Sequence, residues 1–177
     1  MAGRLADKVA LISGGARGMG ASHAEAMIAE GAQVVIADLL DDEGAATAER
    51  LGDAARYVHL DVTRPDDWDA AVAATVSAFG KLNVLVSNAG IINVGTVEDY
   101  DLNDWHRIID INLTGAWHTS KVATPYLIGQ GEGGVLIFTS STMGLKGGPF
   151  ASAYSATKHG IVGLAKSLAM ALAQFRI

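Results

Sequence analysis

The stretch Val9-Ala10-Leu11-Ile12-Ser13-Gly14-Gly15-Ala16-Arg17-Gly18-Met19-Gly20 decides the fold. Its first four residues are apolar without a break, as a strand buried on both faces of a parallel sheet requires. Glycines then crowd a turn, and a helical pattern follows. At such a junction glycine permits a tight turn, close backbone approach to a pyrophosphate, and close packing of helix on sheet. The helix N-terminus adds unpaired N–H groups and the positive end of a dipole. Gly14, Arg17, Gly18, Met19 and Gly20 are therefore expected to hold the phosphates of a dinucleotide.

Outward from this turn, apolar runs alternate with helical patterns to the end of the chain. Strands are expected over 8–13, 33–37, 56–60, 83–87 and 135–140, with helices over 19–30, 41–51, 66–79, 102–128 and 152–173. This alternation predicts right-handed βαβ units and an α/β, doubly wound parallel sheet of Rossmann type. Asp38 follows the second strand, Asp61-Val62 the third and Asn88-Ala89-Gly90 the fourth. Ligands of open α/β sheets gather beyond the carboxyl ends of strands, so these residues are expected on one rim. Taken singly, Asp61 reads equally well as a helix cap and Asn88-Ala89-Gly90 as a plain turn. Asp38 suits the adenosine ribose hydroxyls and repels a 2′-phosphate, whereas Arg17 suits such a phosphate. A carboxylate pressed against the ribose outweighs a flexible arginine at the rim, and NAD is expected rather than NADP.

With 177 residues and no proline- or serine-rich linker, residues 1–177 read as a single domain. Half the residues are hydrophobic and the mean hydropathy is +0.26, but the apolar runs are too short to span a bilayer. The net charge of −6 without a Lys/Arg cluster argues against nucleic acid and membrane as partners. No basic leader precedes an apolar stretch, so no secretory signal is expected. The absence of cysteine excludes disulfides, thiol catalysis and cysteine metal sites, and fits a cytoplasmic location. The five histidines show no metal-binding spacing, so no metal is expected. Trp68, Trp105 and Trp117 read as packing residues, and Asp99, Asp101 and Asp104 as a capping-rich approach to a helix.

The chemistry is carried further along. Tyr154 and Lys158 lie four residues apart in a helical pattern and therefore share a face. An ammonium beside a phenol favours the phenolate form and makes the phenol a usable general acid/base. The pair alone is a common helix-face pattern. Its company is less common: Ser141 lies thirteen residues upstream, Asn112 stands in the preceding long helix, and the glycine turn opens the chain.

In this combination the chain resembles the short-chain dehydrogenase/reductase family over essentially its whole length. The matching elements are Gly14-Gly15-Ala16-Arg17-Gly18-Met19-Gly20, Asp38, Asp61-Val62, Asn88-Ala89-Gly90, Asn112, Ser141 and Tyr154-Ser155-Ala156-Thr157-Lys158. The segments 40–48 and 57–63 resemble bacterial NAD-dependent 3α(20β)-hydroxysteroid dehydrogenases within it. The resemblance implies hydride transfer between NAD(H) and a secondary alcohol or ketone, a hydroxysteroid among the candidates. It implies that Tyr154 passes the proton, that Lys158 supports it and binds the nicotinamide ribose, that Ser141 holds the substrate oxygen, and that Asn112 supports a proton-relaying water. It also implies a homo-oligomer paired through the helices over 102–128 and 152–173.

Two departures stand out. Ser87 replaces an asparagine common in the family before Asn88-Ala89-Gly90, and the family continues through two further strands, a Pro-Gly segment and a substrate-covering loop. The chain therefore reads as C-terminally truncated, with 175–177 as the first step of another strand. The fifth strand is left as an open apolar edge, and the chain expressed alone is expected to associate or lose activity. Two other readings stand beside the first: an NADPH-dependent 3-oxoacyl reductase, against which Asp38 speaks, and an inactive nucleotide-binding fragment.

Overall fold

The computed structural model describes residues 3–177. Strands β1 (Val9–Ser13), β2 (Gln33–Asp38), β3 (Ala55–His59), β4 (Val84–Ser87) and β5 (Val135–Phe138) form one sheet in the order β3-β2-β1-β4-β5. Every observed pairing is parallel, with Leu11 of β1 beside Val35 on one side and Leu85 on the other. Helices α1 (Gly18–Ala29), α2 (Asp41–Leu51), α3 (Pro65–Phe79), α4 (Leu102–Ile109), α5 (Gly115–Gln130) and α6 (Ser152–Leu172) connect and cover the strands.

The unbroken apolar runs divide between two cores because successive side chains in a strand point to opposite faces. Leu11, Val35 and Leu85 pack with Trp68, Val72, Ala123 and Leu127 from α3 and α5. Ala10, Ile12, Val34, Ile36, Val84 and Val86 pack on the other face with Ala24 and Ala48 from α1 and α2. Full burial of each large aliphatic side chain contributes about 1.5–3 kcal/mol. The chain winds outward from β1 to β3, then crosses to β4. That reversal lies between β1 and β4 and opens a crevice at the carboxyl ends of both.

Three expectations from the sequence need correction. The helix expected over 102–128 is α4 and α5 joined by a π-helical turn, Asp110–Thr114. Such a turn is rare and inserts an extra residue that periodicity does not register. Of the three tryptophans only Trp68 is buried; Trp105 and Trp117 are exposed, with the Lys121 ammonium 5.2 Å from the Trp117 ring centre. Residues 175–177 do not start a strand: Ala173–Phe175 is a 3-10 turn, and Arg176 has φ +60°. That turn tucks against the start of β5, where the Gly134 N–H donates to the Arg176 carbonyl at 3.1 Å.

The outer edge of β5 pairs with no strand among the described residues, and Val135 and Ile137 are 49% and 40% exposed. No helix among the described residues is long and apolar enough to cross a membrane. No group of three or more His, Asp or Glu side chains among them converges as a metal site would require.

Candidate active site

A groove of about 870 Å3 runs along the carboxyl ends of the strands, lined by Gly14, Arg17, Met19, Asp38, Asp61, Val62 and the loop Asn88–Ile91. The glycine turn forms its floor. Gly14 has φ +64°, and a Cβ there would lie 2.8 Å from Ala89 Cα. The next loop buttresses the turn: Asn88 Nδ2 donates to the Ser13 and Gly14 carbonyls at 3.2 and 3.0 Å. The N–H groups of Asn88 and Ala89 donate to Ser13 Oγ at 3.1 and 3.3 Å. Asn88-Ala89-Gly90 is therefore bonded into the glycine turn and is more than a bare bend.

The first turn of α1 has no side-chain cap, so its N–H groups face the groove without a protein acceptor at that position. A helix start in this state binds anions. Arg17 stands at the cap position with its guanidinium 3.6 Å from the Glu43 carboxylate. Both groups are exposed, so the pair is weak and the arginine is free to move.

Asp38 faces the groove from the end of β2. Its Oδ2 accepts from the Ala16 N–H at 3.0 Å and its Oδ1 from the Leu40 N–H at 3.2 Å. These bonds orient the carboxylate and leave each oxygen a further lone pair for a ribose hydroxyl. Beneath it the Tyr57 hydroxyl shares its proton between the Asp38 carbonyl at 2.7 Å and Asp41 Oδ1 at 2.6 Å. Burial first, and then Asp41, push the Tyr57 phenol upward and keep it a donor.

His59 Nδ1 lies 2.8 Å from the same Asp41 oxygen. Hydrogen bonding to Asp41 raises His59 above the ordinary imidazole value, while the bonds from Tyr57 and then His59 hold Asp41 below the ordinary carboxylate value. A raised histidine stabilises the fold fully below its unfolded value of about 6.5 and ceases to do so as pH rises through the folded value. A depressed aspartate acts above its unfolded value of about 3.9 and is lost as pH falls further. The excess Tm of wild type over His59→Gln is therefore expected to peak between about pH 5 and 6 and to vanish in alkali. Thermal unfolding of both proteins across pH 4–9 checks this, and a pH-independent difference contradicts it.

Asp61 closes its own loop: Oδ1 accepts from the Thr63 N–H at 2.9 Å and from Thr63 Oγ1 at 2.7 Å. The Val62 carbonyl is pinned from below by the buried Trp68 indole at 3.1 Å. Asp61 lines the groove but caps no helix: the cap residue of α3 is Arg64, and no side chain bonds the helix start there.

At the other end of the rim, four side chains expected from the sequence lie on elements that pack together. Asn112 sits in the π-helical turn and is 1% exposed. Its Oδ1 accepts from the Ile91 N–H at 2.8 Å, and its Nδ2 donates to the Ile91 carbonyl at 2.9 Å. Ser141 begins a 3-10 turn after β5; its Oγ accepts from the Met143 N–H at 3.1 Å, leaving its O–H to donate elsewhere. Tyr154 and Lys158 occupy the first two turns of α6, with Lys158 Nζ 5.6 Å from the Tyr154 ring centre. Lys158 is 4% exposed, and burial lowers its ammonium from the ordinary lysine value. Its Nζ donates to the Thr139 carbonyl at 2.7 Å, and Ser140 Oγ donates to the Lys158 carbonyl at 3.1 Å. The end of β5 is thereby tied to α6 at the lysine.

Sequence reasoning missed several groups here. His106, Arg107 and Asp110 of α4 and the π-helical turn line the groove but belong to no recognisable motif. Glu43 and Thr139 act through a side chain and a carbonyl brought close only by folding. The signal available was positional, since Glu43 stands in the first turn of the helix after Asp38.

The short chain dehydrogenase family model matches residues 8–177. A 3-alpha-(or 20-beta)-hydroxysteroid dehydrogenase of Mycobacterium tuberculosis is 56% identical over 97% of this chain and 66% of its own. A trans-4-hydroxycyclohexanecarboxylate dehydrogenase of Sinomonas cyclohexanicum is 51% identical over 98% of this chain and 70% of its own. A (-)-trans-carveol dehydrogenase of Rhodococcus erythropolis is 42% identical over 98% of this chain and 69% of its own. The chain thus spans about two thirds of the length of these relatives. With the family model matching from β1 through α6, this chain belongs to the short-chain dehydrogenase family.

Proposed function

We propose that the protein is an NAD(H)-dependent oxidoreductase acting on a secondary alcohol, or the matching ketone, of an apolar alicyclic skeleton. The observation that carries this reading is the carboxyl edge of the sheet, where an uncapped helix start and Asp38 line the groove while Asn112 is bonded to Ile91 of its lining and Lys158 to Thr139 just past the end of β5. The residues fit a dinucleotide. The uncapped α1 N-terminus suits the pyrophosphate, Gly14 and Gly20 leave no room for side chains, and Asp38 has lone pairs free for ribose hydroxyls. The bound nicotinamide supplies hydride chemistry. Tyr154 gives a proton to the carbonyl oxygen in reduction and takes it back in oxidation. Ser141 donates a hydrogen bond to that oxygen and orients it. Lys158 holds positive charge beside the phenol, and Asn112 fixes the loop that follows β4.

The substrate class rests on two supports. The relatives are named for a hydroxysteroid, a hydroxycyclohexanecarboxylate and carveol, all alcohols of alicyclic skeletons. In this chain the loops after β4 and β5 are joined by the Gly95 N–H donating to the Phe150 carbonyl at 2.8 Å. Both loops expose large apolar side chains, Ile92 and Val94 on one and Leu145 and Phe150 on the other. An apolar ring matches that surface better than a charged substrate does. Ketone-dependent oxidation of NADH, measured across cyclic ketones, steroid ketones and a 3-oxoacyl thioester, tests the proposal. Preference for the thioester with NADPH overturns it.

Cofactor choice rests on Asp38. Its charge repels a 2′-phosphate, and the exposed, mobile Arg17 offsets only part of that repulsion. Asp38→Ser is expected to raise NADPH affinity relative to NADH by about tenfold, equivalent to about 1.4 kcal/mol. Fluorescence titration with both reduced cofactors measures it. A wild-type protein that already prefers NADPH contradicts the reading.

A further inference from the structure

Thr157 stands between Tyr154 and Lys158 on α6. It is fully buried. Its Oγ1 donates to the Tyr154 carbonyl at 2.7 Å, a local bond that threonine often makes inside helices. The unusual feature is the other side of the hydroxyl, which accepts from Asn112 Nδ2 at 3.3 Å. Asn112 is itself held by both main-chain groups of Ile91, the residue after Asn88-Ala89-Gly90. One buried hydroxyl therefore closes a chain of bonds from the loop after β4, through the π-helical turn, to the turn of α6 that carries Tyr154.

We infer that Thr157 is a positioning residue, locking the Tyr154 turn of α6 to Asn112 and hence to the groove. The inference rests on the proposed acid/base role of Tyr154. Asn112 has two amide protons and a carbonyl oxygen in a site only 1% exposed, and Ile91 satisfies the oxygen and one proton. The second proton has Thr157 as its partner, so a substitution without a hydroxyl leaves a buried donor unpaired. The π-helical turn is then free to relax, and the Tyr154 turn loses its reference to the groove. Misplacement of about 1 Å of a catalytic group lowers rate by about a hundredfold, so partial loosening is expected to lower it by about tenfold. The glycine turn and Asp38, which hold the phosphate and ribose end of the groove, lie on other elements and keep the cofactor's affinity.

The experiment compares Thr157→Val, Thr157→Ala and Thr157→Ser in the natural full-length protein. It measures kcat for ketone reduction, the NADH dissociation constant, and amide hydrogen exchange over residues 88–92, 110–114 and 152–158. Thr157→Val and Thr157→Ala are expected to lose about tenfold in kcat, hold the dissociation constant within about twofold, and exchange faster in all three segments. Thr157→Ser, which restores the hydroxyl without the methyl, is expected to return kcat and exchange to near wild type. Equal loss in the Ser and Ala variants assigns Thr157 to packing and overturns the inference, as does unchanged behaviour of the Val and Ala variants. If Thr157→Val fails to fold, the Ala–Ser pair decides alone. Wild-type protein without ketone-dependent NADH oxidation contradicts the proposed function, and the exchange pattern then still decides the position of Thr157.

Discussion

Tyr154→Phe is expected to lower kcat for ketone reduction by about a thousandfold and leave the NADH dissociation constant within about twofold. The substitution removes one oxygen and keeps the ring, so packing in the first turn of α6 and the approach of Lys158 Nζ are retained. What disappears is the only proton donor the reading assigns to the carbonyl oxygen. Ser141 cannot replace it, because a serine hydroxyl is a hydrogen-bond donor with little acidity near neutral pH. Lys158→Ala is the informative contrast. Its buried ammonium is tied to the Thr139 carbonyl and stands beside the tyrosine ring, so its removal unbinds the end of β5 from α6 as well as removing charge. That variant should lose both turnover and cofactor affinity. Steady-state kinetics and NADH fluorescence titration on the two proteins separate the roles. Retention of a tenth or more of wild-type kcat by Tyr154→Phe removes the acid/base assignment.

The parts of this fold legible in the sequence are those written in residue identity over short spans. Val9–Ser13 followed by glycines needs no partner to be recognised, and Asp38, Asn88-Ala89-Gly90, Ser141 and Tyr154…Lys158 fall at strand ends or in one helix. What stayed hidden depends on contacts between distant segments. The π-helical turn is held by Asn112 bonding to Ile91, twenty-one residues earlier, and no local period announces it. The Tyr57–Asp41–His59 cluster joins β3 to α2 through side chains whose sequence neighbours look like ordinary surface. Trp105 and Trp117 carry the periodicity of helix residues, but periodicity cannot say which faces remain uncovered. The approach of Glu43 to Arg17 at 3.6 Å joins two helices and has no signature in the local sequence.

Gly20→Ala is expected to reduce NADH affinity by about a hundredfold or more, the largest effect of any one-carbon change in the groove. A Cβ at residue 20 would run into the Gly14 carbonyl oxygen, with Gly14 C and Gly15 Cα each only 2.8 Å away. All three are backbone atoms of the turn itself, so no side-chain rotation relieves the clash and the start of α1 has to withdraw from the turn. The N–H groups that would meet the pyrophosphate move with it. Each hydrogen bond to a charged group contributes about 1.5–3 kcal/mol, so losing two amounts to at least about a hundredfold in affinity. Gly18→Ala separates this steric effect from backbone strain. Gly18 has φ +56° but no atom within 4 Å of an added Cβ, so alanine there incurs only the strain of a left-handed residue, about 1–2 kcal/mol in stability. Its NADH affinity should change little. Titration of both variants, with Tm measured alongside, gives two clearly different patterns: a binding defect at 20 and a stability defect at 18. Wild-type NADH affinity in Gly20→Ala means that the dinucleotide is not held at the start of α1, and the glycine turn then has some other reason to be packed so closely.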